Sequence, residues 1–191
     1  MKIMEFKECL VKLARESIEK WVREGKELKI DIEKLPPELK EKRGVFVTIH
    51  KIKNSKKELR GCIGFPYAIM PLAEAVIKAA RETCEDPRFP PLSENELKEI
   101  AVEISLLSRP KKIEIDNRAK LPEKLEKNKG YIIKRGFNSG LFLPQVWKEL
   151  QDPEEFLANL CFKAGLPPDA WIDKNTEIYE FEAEIIEEKF K

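Results

Sequence analysis

Between Gly44 and Phe65 lie two strand-forming runs. One is rich in Val, Phe, Thr and Ile; the other contains Leu59-Arg60-Gly61-Cys62-Ile63-Gly64, and Lys53-Asn54-Ser55-Lys56-Lys57 separates them. A connection that short makes the pair an antiparallel hairpin, and strand side chains alternate, so one face must collect the apolar residues of both runs. Val45, Val47 and Ile49 are therefore expected on one face with Leu59, Ile63 and Phe65. The same register places Thr48 and His50, the only histidine, with Arg60 and Cys62, and Phe46 and Ile52 land beside them. A thiol next to a cation and an imidazole makes that second face a candidate chemical site. Gly61 and Gly64 lack Cβ atoms near Cys62, so another backbone or a ligand can come close.

The rest of the chain supplies elements to cover such a hairpin. Leu10, Leu13, Ala14, Ser17, Trp21 and Val22 recur at helical spacing and Gly25 follows, which predicts a helix from Glu5 to Glu24. Pro36-Pro37 marks a connector. Pro71 opens a helix to Thr83 with Leu72, Ala75, Val76, Ala79 and Ala80 on one stripe. Ser93 and Glu96 form a capping box, and Ala101 to Ser108 reads as a strand. Further on come a weak strand at Lys111 to Ile115 and a hairpin formed by Tyr131 to Lys134 with Leu141 to Leu143. A helix capped by Asp152 follows, with Phe156, Leu157, Leu160, Cys161 and Ala164 inward. Glu177 to Glu187 alternates apolar and acidic residues as one half-exposed strand.

Composition narrows the function classes. The chain of 191 residues is 42% hydrophobic, enough for a sizeable core, and its net charge of +1 argues against nucleic acid as a partner. No apolar run approaches the ~20 residues of a membrane helix, and the N-terminal stretch with Glu5, Lys7 and Glu8 does not read as a signal peptide. A cytoplasmic protein with reduced thiols is expected. Cys9, Cys62, Cys84 and Cys161 show no metal-site or redox-motif spacing, so neither a metal nor a cofactor is assigned.

Each candidate residue has a functional and a structural reading. Cys62 is a nucleophile or acyl carrier, or a packed thiol. Arg60 binds a carboxylate or phosphate, or pairs with Asp86 or a glutamate. His50 serves as base for Cys62 or is structural. Asp86 and Arg88, in the proline-braced loop Glu85 to Leu92, rim a pocket or lock the loop by their own ion pair. Tyr67 is placed to hydrogen-bond a ligand. Cys161 reads as packing, and Trp147 and Trp171, near prolines, as lids or interface anchors or as core packing.

Four stretches together resemble the AMMECR family, named after a chromosomal region linked to Alport syndrome, midface hypoplasia and elliptocytosis. They are Leu59 to Gly64, Asp86 to Leu92, Gly140 to Val146 and Lys163 to Pro167. The resemblance covers nearly the whole chain and implies an α+β fold of two subdomains, mainly antiparallel sheets flanked by helices, with a groove near residues 59–64. The resemblance implies one domain over residues 1–191, in which a smaller subdomain at 44–110 and a larger, discontinuous one at 1–43 plus 111–191 are expected. The family brings no settled reaction. Its relatives occur beside Memo-type and radical S-adenosylmethionine modules, which implies a functional association with such proteins. The expected function is an enzyme using Cys62, Arg60 and His50 on a small or peptide-like substrate held near Gly61, Gly64, Tyr67, Asp86 and Arg88. The alternative is a non-catalytic binding or adaptor module using the same groove.

Overall fold

The described residues form five α-helices and eight strands. The helices are α1 (Ile3–Glu24), α2 (Pro37–Lys40), α3 (Leu72–Thr83), α4 (Leu121–Lys124) and α5 (Pro153–Lys163). The strands are β1 (Val45–Lys53), β2 (Lys56–Phe65), β3 (Ile100–Leu107), β4 (Lys111–Lys112), β5 (Gly130–Arg135), β6 (Asn138–Phe142), β7 (Glu177–Phe181) and β8 (Ala183–Glu187). The computed structural model describes residues 3–54 and 56–188; Ser55, assigned above to the hairpin turn, lies outside them.

The first unit is built on a four-stranded sheet of order β2-β1-β3-β8. Val45, Val47 and Ile49 of β1 and Val102, Ile104 and Leu106 of β3 share its inner face, all buried. Helices α1 and α3 close the core over these side chains. On α1 the stripe that turns inward is Leu10, Leu13, Ala14, Ser17 and Ile18, while Trp21 stays half-buried. Each fully buried aliphatic side chain contributes roughly 1.5–3 kcal/mol. Two polar bonds fix how the helices sit: Ser17 Oγ donates to Ile77 O at 2.8 Å, and Thr83 Oγ1 donates to Val47 O at 3.1 Å. Helix α1 stops where Gly25 adopts φ +63° and its N–H returns to Trp21 O.

The second unit has the sheet β4-β7-β5-β6 and its own aromatic core. Asp152 caps α5 by accepting the Glu155 N–H at 2.9 Å, as the sequence predicts. The helix buries Phe156, Leu157, Leu160 and Cys161. Phe156 lies flat on Trp147 with ring centroids 3.8 Å apart, and Tyr131 meets both rings edge-on.

Three expectations are corrected. The partition is not 44–110 against the remainder: residues up to Leu107 join those from Glu184 onward, and Ser108–Ala183 form the other unit. The cause is α1, whose stripe packs on α3, and β8, which belongs to the first sheet. The alternating run from Glu177 to Glu187 is two strands in two sheets, not one. It breaks at Glu182, whose N–H goes to Ser108 Oγ and whose carbonyl accepts from Ser108 N, both at 2.9 Å. Of Lys111 to Ile115, only Lys111 and Lys112 pair as strand.

Candidate functional site

The hairpin register agrees with the alternation argument from Val45↔Phe65 through Thr48↔Cys62 to Ile49↔Gly61. It then shifts: His50 pairs with Leu59, so Arg60 has no partner on β1 and forms a bulge. Two assignments change as a result. Leu59 crosses to the His50 side and is 46% exposed, so it is no part of the core. Arg60 leaves the Cys62 face and reaches the segment after α3, where Nε and Nη2 bond the two Glu96 carboxylate oxygens at 2.8 and 3.0 Å. The guanidinium holds the Glu96 carboxyl down at about 2 against burial, helped by the Ser93 N–H and hydroxyl. Glu96 thus serves as more than the capping partner read from the sequence.

Cys62 keeps a different set of neighbours. It is half-buried, and Thr48 Oγ1 donates to its Sγ at 3.3 Å. The same row continues to β3, where Thr48 pairs with Glu103. Two residues along β1, His50 Nε2 meets Glu103 Oε2 at 3.2 Å. Three adjacent strands therefore put Cys62, Thr48, His50 and Glu103 on one sheet face. Sequence reasoning missed Glu103. The signal was there: it is the single charged residue of the run Ile100–Leu107, which is otherwise apolar except for Ser105.

Asp86 and Arg88 act on the backbone of Cys62. Strand β2 is an outer strand, so one side of its main chain lacks a β partner. Asp86 Oδ2 accepts the Cys62 N–H at 2.9 Å, and Arg88 Nη2 donates to Cys62 O at 3.3 Å. Arg88 also grips Asp86 through Nε at 3.0 Å, Nη2 at 2.6 Å and its own N–H at 3.0 Å. Burial pushes the Asp86 carboxyl up, but the Arg88 guanidinium and the N–H groups of Cys62 and Arg88 outweigh it and hold it at about 2. Both readings of this pair from the sequence were incomplete, because the ion pair also clamps the residue carrying the thiol.

The glycines have packing reasons. A Cβ on Gly61 would lie 2.7 Å from Thr83 O, and one on Gly64 would lie 2.3 Å from Val45 O. Protein fills both spaces, so Gly61 serves the docking of α3, and neither opens a path for ligand. Gly61→Ala is expected to lower stability by about 2 kcal/mol; equilibrium guanidinium unfolding measures it, and an unchanged midpoint would refute this account. Tyr67 is 44% exposed, and its carbonyl accepts from Ile69 N. Cys84 is buried and its thiol is pushed up to about 12, chiefly by desolvation. Among the described residues, no three His, Cys, Asp or Glu side chains gather as a metal-binding set.

The sequence model of the AMMECR1 family matches residues 11–186. The chain belongs to the AMMECR1 family. This AMMECR1-family chain is 50% identical over 190 residues to a protein of Thermococcus gammatolerans, covering 97% of the chain and 92% of that relative. A second relative, Protein MK0488 of Methanopyrus kandleri, is 49% identical over 192 residues, covering 97% of the chain and 90% of the relative. Among solved structures, the crystal structure of the uncharacterized protein PH0010 from Pyrococcus horikoshii superposes with a TM-score of 0.88 at 48% identity. It covers 97% of this chain and 93% of its own. The AMMECR1 fold is thus α+β with two antiparallel sheets. No helix among the described residues is long and apolar enough to cross a membrane.

Proposed function

We propose that the chain is a cytoplasmic thiol enzyme that transfers or modifies a group on a small or peptide-like substrate, with Cys62 as nucleophile. The observation that carries this reading is the Thr48 hydroxyl donating to Cys62 Sγ at 3.3 Å. A donor aimed at sulfur favours the charged, nucleophilic form of a thiol. The Asp86 and Arg88 clamp holds the Cys62 backbone, so the sulfur is presented from a fixed strand. The His50–Glu103 pair on the same face supplies an imidazole oriented by a carboxylate. In the proposed step His50 takes the thiol proton, the sulfur forms a bond to an electrophilic carbon, and the leaving group departs with that proton. Water or a second nucleophile then releases the group from sulfur.

Thiol chemistry tests the reading. Iodoacetamide labelling at pH 7, followed by peptide mass spectrometry, compares Cys62 with Cys9, the other half-buried thiol. Burial pushes Cys9 up, which makes it an internal slow reference. Cys62 is expected to react at least ~10-fold faster, and Thr48→Val to remove most of that advantage. An advantage that survives Thr48→Val would remove only Thr48 from the activation of the thiol, whereas equal rates would overturn the nucleophile.

That result would favour a second reading, a non-catalytic ligand-binding or adaptor module. Its supporting observation is that Arg60, expected to serve catalysis, is neutralised by Glu96 and braces the hairpin. Mass spectrometry of metabolites retained equally by the parent protein and Cys62→Ser would then identify the ligand.

A further inference from the structure

A hollow of about 620 Å³ lies at the far end of α1 in the first unit, lined by Lys20, Trp21, Gly25, Lys26, Glu27, Lys29 and Arg81. Its walls come from three segments: the last turns of α1, the connector after Gly25, and α3. Four of the lining side chains are cationic and one is acidic, so like charges face one another across a small volume. Lys20 and Lys26 stand near the carbonyl end of α1, where cations are favoured by the helix dipole. That explanation does not extend to Lys29 or Arg81, which lie on other segments. Neither Lys20 nor Lys29 has a carboxylate partner among the described residues.

Arg81 is held differently from the arginines of the Cys62 region. Arg60 and Arg88 each close on a carboxylate, at 2.8 and 2.6 Å. Arg81 instead stacks over the Trp21 ring with its guanidinium carbon 4.2 Å from the centroid. Its carboxylate contact among the described residues, with Glu85, is long at 3.5 Å, and its buried Nε has no hydrogen-bond partner there. Stacking fixes the plane of the guanidinium while leaving most of its donor capacity unused. A planar fork of that kind matches two oxygens of one phosphate, and flexible ammonium groups can follow the remaining charge.

We propose that this hollow binds a small molecule carrying adjacent phosphate groups. Arg81 grips one phosphate in the plane set by Trp21, and Lys20, Lys26 and Lys29 neutralise the next. The site is independent of the thiol reading, since none of its residues lies on the Cys62 face.

Calorimetric titration of the full chain at low ionic strength tests the proposal, with inorganic pyrophosphate, orthophosphate and ATP as probes. Pyrophosphate is expected to bind at one saturable site, at least ~10-fold tighter than orthophosphate, with the affinity falling as salt is added. ATP binding equal to pyrophosphate assigns recognition to the phosphates alone. Tighter ATP binding means that the nucleoside adds contacts in the same hollow. Arg81→Gln should weaken pyrophosphate by at least ~10-fold. Arg81→Gln also loses its stacking on Trp21, so Lys29→Gln, at an exposed connector position, provides a variant without that packing change; several-fold weakening is expected. Lys56→Gln, at the hairpin tip, serves as control. The absence of saturable binding, or equal affinities for the parent, Lys29→Gln and Lys56→Gln, would overturn the site.

Discussion

Phe156→Ala should lower the unfolding free energy of the second unit by about 3–5 kcal/mol, the largest effect expected from a single substitution here. Phe156 is fully buried, stacked on Trp147 at 3.8 Å and met edge-on by Tyr131 and Phe142 at 5.8 and 5.2 Å. Truncation leaves a cavity bounded by rings whose edges and faces were matched to the lost one. Aromatic pairs of this kind add about 0.5–1.5 kcal/mol each beyond burial. Neighbouring Leu157, Leu160 and Ile133 are themselves fully buried, so little can move in to fill the space. Trp147 and Trp171 both belong to this unit, so tryptophan fluorescence during guanidinium unfolding reads the loss directly. A midpoint shift worth under ~1 kcal/mol would mean that the core collapses around the gap.

Asp86→Ala is expected to cost roughly 3 kcal/mol at pH 7, a discounted value because Arg88 is 55% exposed and can rehydrate. Three donor groups lose their acceptor at once: the Cys62 N–H, the Arg88 N–H and the Arg88 guanidinium. The effect has a defined pH dependence. Asp86 titrates at about 2 in the folded chain, below the ordinary carboxylate range, so its stabilisation is complete above pH ~4 and disappears as pH falls toward 2. Parent and variant should therefore converge in stability between pH 4 and 2. Glu96, also held at about 2 by Arg60, keeps the variant acid-sensitive over the same interval. A gap between parent and variant that stays constant down to pH 2 would contradict the clamp. Loss of stability with no change in Cys62 labelling would confine Asp86 to folding.

Local chemistry made much of the fold readable. The α1 stripe, the Asp152 cap, the Ser93–Glu96 box and the Thr48↔Cys62 pairing all rest on residues near one another in sequence or on strict alternation. The failures have long-range causes. Nothing in Leu59-Arg60-Gly61 announces a bulge; Arg60 is displaced from alternation toward Glu96, 36 residues away. The break at Glu182 is equally silent, because alternation runs through it and its marker is Ser108, 74 residues earlier. Glycines beside a thiol looked like access for a ligand, and only the position of Thr83 shows the space already taken. At the candidate site, Cys62, Thr48 and His50 were brought to one face by register alone. Glu103, which orients the histidine, required the third strand.

The Asp86 and Arg88 contacts also bear on how the molecule behaves in a crowded solution. An outer strand with unpaired main-chain groups is a template on which another chain can add a strand, the first step toward aggregates. At Cys62 both the N–H and the carbonyl are already taken by side chains. The opposite end of β2 carries the charged and exposed Lys56, Lys57 and Glu58. Loss of the clamp would therefore leave the strand edge open as well as the fold weaker, and Asp86→Ala should form concentration-dependent aggregates under conditions where Gly61→Ala, though destabilised, stays dispersed.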